Sequence, residues 1–388
     1  MGNNAGALLN AIRDLSPLIK ARSAEIESKR ELPKDLLEEL IAAGCFRMSI
    51  PQSHAGLEID LPATLTALEM LGRADGSVAW LVMVACQFAL LLPRLPLKRF
   101  DALYAEAPNV IAAGSITPRG EIRVVDGGYE VNGRWPFASG CKHSQWLIAS
   151  GFVMENGALR PGPVPGIPQS RSAILPVERA TIFDTWSVSG LNGTGSHDFE
   201  VRALQVAEED TFDPLFGQLA VAGPLYHGVL TQASLHMAAV AIGIAQHAVD
   251  DITAMATAQK RRSLTRLSMI ETPLFQYRLG HAETTVRVAR AALKTDAAAF
   301  WAIVESGRAP NQPEHCLMAG TAAWIAETAA AVVTACYTGG GATALYATSP
   351  LQRHLRDIHT LTQHIMVAEG WLTKAGAALL GQEIGFGL

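Results

Sequence analysis

Near the end of the chain Arg353, Asp357 and His364 are spaced by four and seven positions, which puts them within about 20–40° of one face of a helix. Arg353 and Asp357 can pair across one turn. His364 then sits about two turns into the sequence from Asp357. Of the three, only the imidazole changes charge near neutrality, so His364 can give a proton to a reacting group or take one from it. Its polar neighbours are His359 and Gln363, Ile365 follows it, and Glu369 comes more than a turn later.

A second set lies in Asn132-Gly133-Arg134-Trp135-Pro136-Phe137-Ala138-Ser139-Gly140. Asn-Gly is a strong turn signal, and strand alternation after it predicts Trp135, Phe137 and Ser139 on one face, an aromatic wall and a hydroxyl presented to one ligand. His143, four residues past Ser139, either lines the same pocket or caps the next strand. A third set, Gly190 to Asp198, carries Gly193, Thr194, Gly195 and Ser196. The glycines permit close backbone approach and the hydroxyls offer hydrogen bonds, but no lysine follows them and the segment leads into a strand, which argues against a nucleotide phosphate loop. His54 follows a Pro51-Gln52-Ser53 turn, and His236 on an alanine-rich stretch reads as a packing residue.

The elements that must position these residues fall into three blocks. From Ala5 to about Ala107 apolar residues recur at helical spacing; Pro33 opens one helix, Gly44 closes it, and Asp75-Gly76-Ser77 starts another. After Pro108-Asn109 the pattern changes to short β-branched and aromatic runs bounded by turns such as Asp126-Gly127-Gly128, with 156–168 as a Gly/Pro-rich surface loop. From Pro224 onward four helical stretches are predicted, roughly Leu225–Lys260, Met269–Gly307, Pro313–Thr338 and Leu351–Leu380. The expected division is a helical lobe over 1–108, a β domain over 109–212 and a helical bundle over 213–388.

Composition narrows the partners. With 388 residues, 49% hydrophobic and only 17% charged, the chain is apolar enough to predict helical faces buried between subunits. A net charge of −5 without a basic block leaves no electrostatic footprint for nucleic acid or an anionic membrane. Five scattered cysteines form no zinc spacing and no Cys-x-x-Cys, so reduced thiols and no metal site are expected. The first residues lack the basic start and apolar run of a signal peptide, which predicts a cytoplasmic protein. The apolar run Val78 to Leu92, interrupted by Gln87, reads as buried core rather than a membrane span.

The order helical lobe, β middle, helical bundle resembles the acyl-CoA dehydrogenase fold over essentially the whole chain, and implies a mainly α protein with a central antiparallel, β-barrel-like domain and a C-terminal four-helix bundle. Arg356-Asp357 resembles that family's late helix, where a glutamate soon afterwards abstracts a proton; here Ile365 stands at about that place. The acidic stretch usual before the flavin strand is also missing from Ala113–Gly120. Trp135-x-Phe137-x-Ser139-Gly140-Cys141-x-His143-x-x-Trp146, Asp75-Gly76-Ser77-x-Ala79-Trp80 and the Asp184–Asp198 stretch resemble instead the flavin-dependent monooxygenase branch of this fold, the oxygenase component of two-component hydroxylases.

That resemblance implies reduced FMN or FAD and O2 as cosubstrates, a separate NAD(P)H-dependent flavin reductase, and hydroxylation of an aromatic or polycyclic small molecule through a flavin hydroperoxide. It implies His364 and Ser139 as catalytic, Trp135, Phe137, Ser139, Thr194 and Ser196 against the flavin, Trp80 and His143 toward substrate, and a homotetramer. In its terms Lys260-Arg261-Arg262 falls where an arginine reaches flavin phosphate across a subunit boundary, although a solvated helix end is the simpler reading. The alternatives are an acyl-CoA dehydrogenase-like FAD oxidoreductase and a non-catalytic ligand-binding homologue.

Overall fold

A computed structural model describes residues 2–105, 108–258 and 267–385; Lys260, Arg261 and Arg262 lie outside them. The chain opens with α1 (Gly2–Ala21), α2 (Ser23–Lys29), α3 (Lys34–Ala42), α4 (Leu61–Ala74), α5 (Gly76–Leu91) and α6 (Leu97–Tyr104). Asp60 caps α4 by accepting from Ala63 N at 2.8 Å. Asp75 caps α5, its Oδ1 accepting from Ser77 N at 2.9 Å and Val78 N at 3.1 Å, which satisfies two of the amides a helix start leaves unpaired. Helix α5 is apolar on every side and almost wholly buried, so it runs through the centre of the fold.

The strands are β1 (Ala112–Val125), β2 (Gly128–Ala138), β3 (Trp146–Glu155), β4 (Ala158–Leu159), β5 (Ser170–Pro176), β6 (Thr181–Phe183), β7 (His197–Ala207) and β8 (Thr211–Phe212). They form one sheet in the order β6-β7-β2-β1-β3-β5-β8, with β4 on β3. All pairings are antiparallel except β1 with β3, which run parallel. Strand β1 continues through the Thr117-Pro118 region with a register shift between Ser115 and Gly120, so its two apolar ends read as separate runs in the sequence. One face of the sheet packs its own core around Trp135 and Phe199; Phe88, Leu92 and Phe100 meet Ile148, Ile174 and Phe212 on another.

The remaining helices are α7 (Val229–Thr257), α8 (Pro273–Glu305), α9 (Gln312–Gly340), α10 (Pro350–Leu361) and α11 (Gly370–Leu379). The single last helix expected over Leu351–Leu380 is therefore two. Between them His364 adopts extended backbone and Ile365–Val367 make a 3-10 turn. The break is stabilised locally: His364 Nδ1 accepts from Met366 N at 3.2 Å and Trp371 Nε1 donates to Ile365 O at 2.9 Å. Three helical stretches, Gly76–Arg94, Val229–Thr257 and Gln312–Leu345, are long and apolar enough to cross a membrane, yet 89%, 83% and 67% of their most apolar windows is buried inside the fold. All five cysteines are buried and free.

Candidate active site

The end of β2 decides which side chains can face a ligand. Phe137 has φ +65°, a conformation that costs a bulky residue free energy and tends to persist at functional sites. The ladder to β7 shifts register between Trp135 and Ala138 at the same point. Strict alternation stops here, so the shared face expected for Trp135, Phe137 and Ser139 is not formed. Trp135 is fully buried, stacks on Phe199 at 5.0 Å and donates from Nε1 to Ser150 O at 2.7 Å. It offers a ligand neither surface nor an unpaired polar atom. Phe137 instead stands 67% exposed, its ring edge-on to Trp186 at 6.2 Å.

Ser139 is buried and sits in a row of hydroxyls. Trp80 Nε1, on α5, donates to Ser139 Oγ at 3.0 Å; Ser139 Oγ lies 2.7 Å from Ser196 Oγ, and Ser196 Oγ lies 2.7 Å from Thr194 Oγ1. Thr194 Oγ1 donates to Leu191 O at 2.8 Å, and Gly140 N donates to Thr194 O at 2.9 Å. Thr194 and Ser196 are almost fully buried, so they stand behind Ser139. A Cβ on Gly193 would fall 2.2 Å from Ile26 Cγ2, and one on Gly190 would fall 2.1 Å from Arg356 O. These glycines let the turn press against helices.

His364 meets the same cluster through Trp80, whose ring it approaches edge-on at 5.7 Å. The helical-face argument that grouped it with Arg353 and Asp357 fails, because α10 ends at Leu361 and His364 lies beyond it. Its Nδ1 accepts from Met366 N, so the neutral ring carries its proton on Nε2. Nε2 has no hydrogen-bond partner among the described residues. Burial pushes the imidazole pKa down to about 4, so near neutrality the group is an uncharged N–H donor. Among the described residues no carboxylate bonds to it: Ile365 follows, and Glu369 is exposed at the start of α11.

Behind this layer a buried carboxylate, expected from the sequence as a partner for Arg353 and as half of the Arg356-Asp357 pair, fixes the turn. Asp357 Oδ1 accepts from Leu191 N at 2.6 Å, the residue whose carbonyl takes Thr194. Its pKa is pushed up to about 7, first by burial and then by the charge of Asp75, with the Leu191 amide and Arg353 pulling the other way. Asp75 is raised by burial too, and Arg353 opposes that shift. Trp186 Nε1 also donates to Leu191 O, at 3.1 Å. Trp186 belongs to the Asp184–Asp198 stretch, but its double contact with Phe137 and Leu191 carries no signal in the sequence.

His143 lines the same cleft as Ser139, the first of the two readings of its position, and also ties two segments together. Its Nε2 accepts from Leu32 N at 3.1 Å, tying the segment after Ser139 to the start of α3, and burial lowers its pKa. Ser139, Gly140 and His143 share a narrow cleft with Leu32, Phe46 and Leu81. The structure thus brings together Trp80, Ser139, His364, Thr194 and Ser196, sets Phe137 on the rim beside Trp186, and keeps Trp135 apart. An exposed aromatic, a buried hydroxyl with fixed partners and a neutral imidazole with an unpaired N–H suit a flat heterocycle with a polar edge, the shape of a flavin ring.

Models of the acyl-CoA dehydrogenase N-terminal and C-terminal domains match residues 10–93 and 235–369. An indole-3-acetate monooxygenase of Pseudomonas putida is 30% identical over 379 residues, which cover 97% of this chain and 93% of the relative. The oxygenase subunit HsaA of a flavin-dependent monooxygenase from Rhodococcus jostii is 26% identical, with 90% and 92% covered. Among solved structures, XiaF from a Streptomyces species, in complex with FADH2 and glycerol, superposes with a TM-score of 0.90 at 21% identity, covering 99% of this chain and 98% of that one. That last likeness concerns the fold.

Proposed function

We infer the chemistry from one premise: this chain belongs to the flavin-dependent monooxygenases built on the acyl-CoA dehydrogenase fold. It is the oxygenase component of a two-component system, which uses reduced flavin and O2 to hydroxylate an aromatic small molecule. Reduced flavin, when bound, supplies the electrons that activate O2. A separate reductase must therefore deliver it, and we propose that this partner uses NAD(P)H.

The observation that carries the residue assignments is the imidazole of His364, neutral and with Nε2–H unpaired, where a dehydrogenase needs a carboxylate base. His364 would donate from Nε2–H to the oxygen that is transferred; with Nε2 protonated and Nδ1 accepting from Met366 N, it has no lone pair free to take the proton of a phenol. With flavin bound, Ser139 would hydrogen-bond the edge of the ring and Phe137 would cover one face of it, while Trp80 holds both Ser139 and His364 and would keep water out. Thr194 and Ser196 act through Ser139, and Trp135 has no part in the contact. His143 holds the substrate-side segment in place through Leu32.

We propose further that the enzyme is a cytoplasmic homotetramer. Support comes from the outer side of the bundle, where Leu274, Tyr277, Val288 and Trp324 on α8 and α9 remain exposed, an apolar surface of the kind subunits cover. The test is to premix the protein with reduced flavin, add O2 and a panel of aromatic substrates, and measure product against H2O2. His364→Ala and Ser139→Ala should each shift O2 consumption toward H2O2 while the fold is kept. Unchanged coupling in both removes their assigned roles, and oxidation of an acyl-CoA with an artificial acceptor would overturn the activity itself.

A further inference from the structure

We propose that Thr194 and Ser196 are positioning residues that fix the hydroxyl proton of Ser139 away from the flavin, so that Ser139 can only accept a hydrogen bond and the site selects reduced over oxidised flavin. The ordering follows from which atoms can donate. A carbonyl has no proton, so in the 2.8 Å contact Thr194 must donate to Leu191 O. Its one proton is then used, and in the 2.7 Å contact Ser196 must donate to Thr194. By the same step Ser139 must donate to Ser196, again at 2.7 Å. From the other end the Trp80 indole can only donate, and it does so to Ser139 at 3.0 Å.

Both ends of the row thus impose one polarity. Ser139 accepts from Trp80, donates to Ser196, and has only a lone pair left for anything placed beside it. All four side chains are buried, so no water reshuffles the protons. A reduced flavin carries a hydrogen on N5 and is a donor there; the oxidised ring has only a lone pair on N5 and would face another. The discrimination is therefore built into residues that do not touch the cofactor. It rests on Ser139 facing the ring edge, as in the function proposed above.

The experiment compares dissociation constants for oxidised and reduced flavin, measured anaerobically, in the whole protein and four variants. In Ser196→Ala the Ser139 proton is freed to turn into the site. In Thr194→Val Ser196 can reverse and donate to Ser139, with the same result; Leu191 O keeps Trp186 Nε1 and Thr194 N as donors, each at 3.1 Å, so the turn should hold. Oxidised flavin should then bind more tightly relative to reduced flavin by about fivefold, the worth of one hydrogen bond. The potential of the bound flavin should fall by about 20 mV, at roughly 30 mV per tenfold. Thr194→Ser should restore the wild-type ratio.

If Ser139→Ala changes the ratio while Ser196→Ala and Thr194→Val do not, the proton-ordering proposal is overturned and the Ser139 contact stands. If Ser139→Ala leaves both constants at wild-type values, Ser139 does not touch the ring, and the functional assignment of Ser139 fails with it. Should Thr194→Val not fold, Ser196→Ala decides alone, since it leaves the Thr194–Leu191 bond in place.

Discussion

A drop in pH should not activate this enzyme, and the reason lies in His364. Its pKa of about 4 lies roughly 2.5 units below an ordinary histidine, so forming the imidazolium costs about 3 kcal/mol more than in water. At pH 7 only about one molecule in a thousand is protonated there. A flavin ring laid over the site would bury the group further and move it the same way. The working form is therefore the neutral ring donating from Nε2. With saturating reduced flavin, product formed per O2 consumed should be flat from about pH 8 down to about 5.5 and decline only as the pH nears 4. His364→Ala should lower the oxygenation rate by about 10–100-fold, the worth of one hydrogen bond to a charged oxygen, and leave the pH profile level. A wild-type rate that climbs about tenfold per unit as the pH falls from 8 and levels off near 6.5 would make the imidazolium the active acid and refute this reasoning.

Other consequences can be checked by stability measurements. Asp357 has a folded pKa raised from 3.8 to about 7. Its contribution is thus full below about pH 3.8 and is lost as pH rises toward 7, at up to about 1.4 kcal/mol per unit. Asp357→Asn keeps an acceptor for Leu191 N and should flatten that slope in urea titrations; an unaltered slope would contradict the assignment. His236 is fully buried on α7 with both ring nitrogens unpartnered, and burial lowers its pKa to about 3. Its share of stability is present above about pH 6.5 and lost as the pH falls toward 3, so His236→Met should make the acid decline of Tm shallower. Trp80→Phe removes the donor to Ser139 and a ring edge from His364; it should cost about 1–3 kcal/mol in stability and raise H2O2 release, and unchanged coupling would remove Trp80 from the site.

Much of this site was legible before the fold. Asp75-Gly76-Ser77 reads as a helix start and caps α5, which carries Trp80. The hydroxyls after Asn132-Gly133 and the Gly193–Ser196 turn mark segments that do meet, but Asn132-Gly133 makes no turn: it lies inside β2, paired with Glu121 on β1 and Val201 on β7. What failed did so for physical reasons. Alternation predicted Trp135 beside Phe137, but the left-handed backbone at Phe137 reverses the faces, and no glycine at that position announces it. The end of α10 at Leu361 is not marked by a glycine or proline; the His364 ring bonds the freed Met366 amide locally, and the Trp371 indole bonds Ile365 O, a contact that exists only once α11 has folded back. The role of Asp357 was hidden because its partner, Leu191, is 166 residues away in the chain. Composition can flag a carboxylate, but burial is what moves its pKa.

The most direct measurement of the central claim is isotopic. The protein, loaded anaerobically with reduced flavin in the presence of an aromatic acid or phenol, is mixed with 18O2, and the products are weighed by mass spectrometry. One 18O atom in the aromatic product, lost in favour of labelled H2O2 when His364 is replaced by alanine, is the predicted result. Labelled H2O2 alone across the whole panel, together with reduction of an electron acceptor by an acyl-CoA, would contradict it.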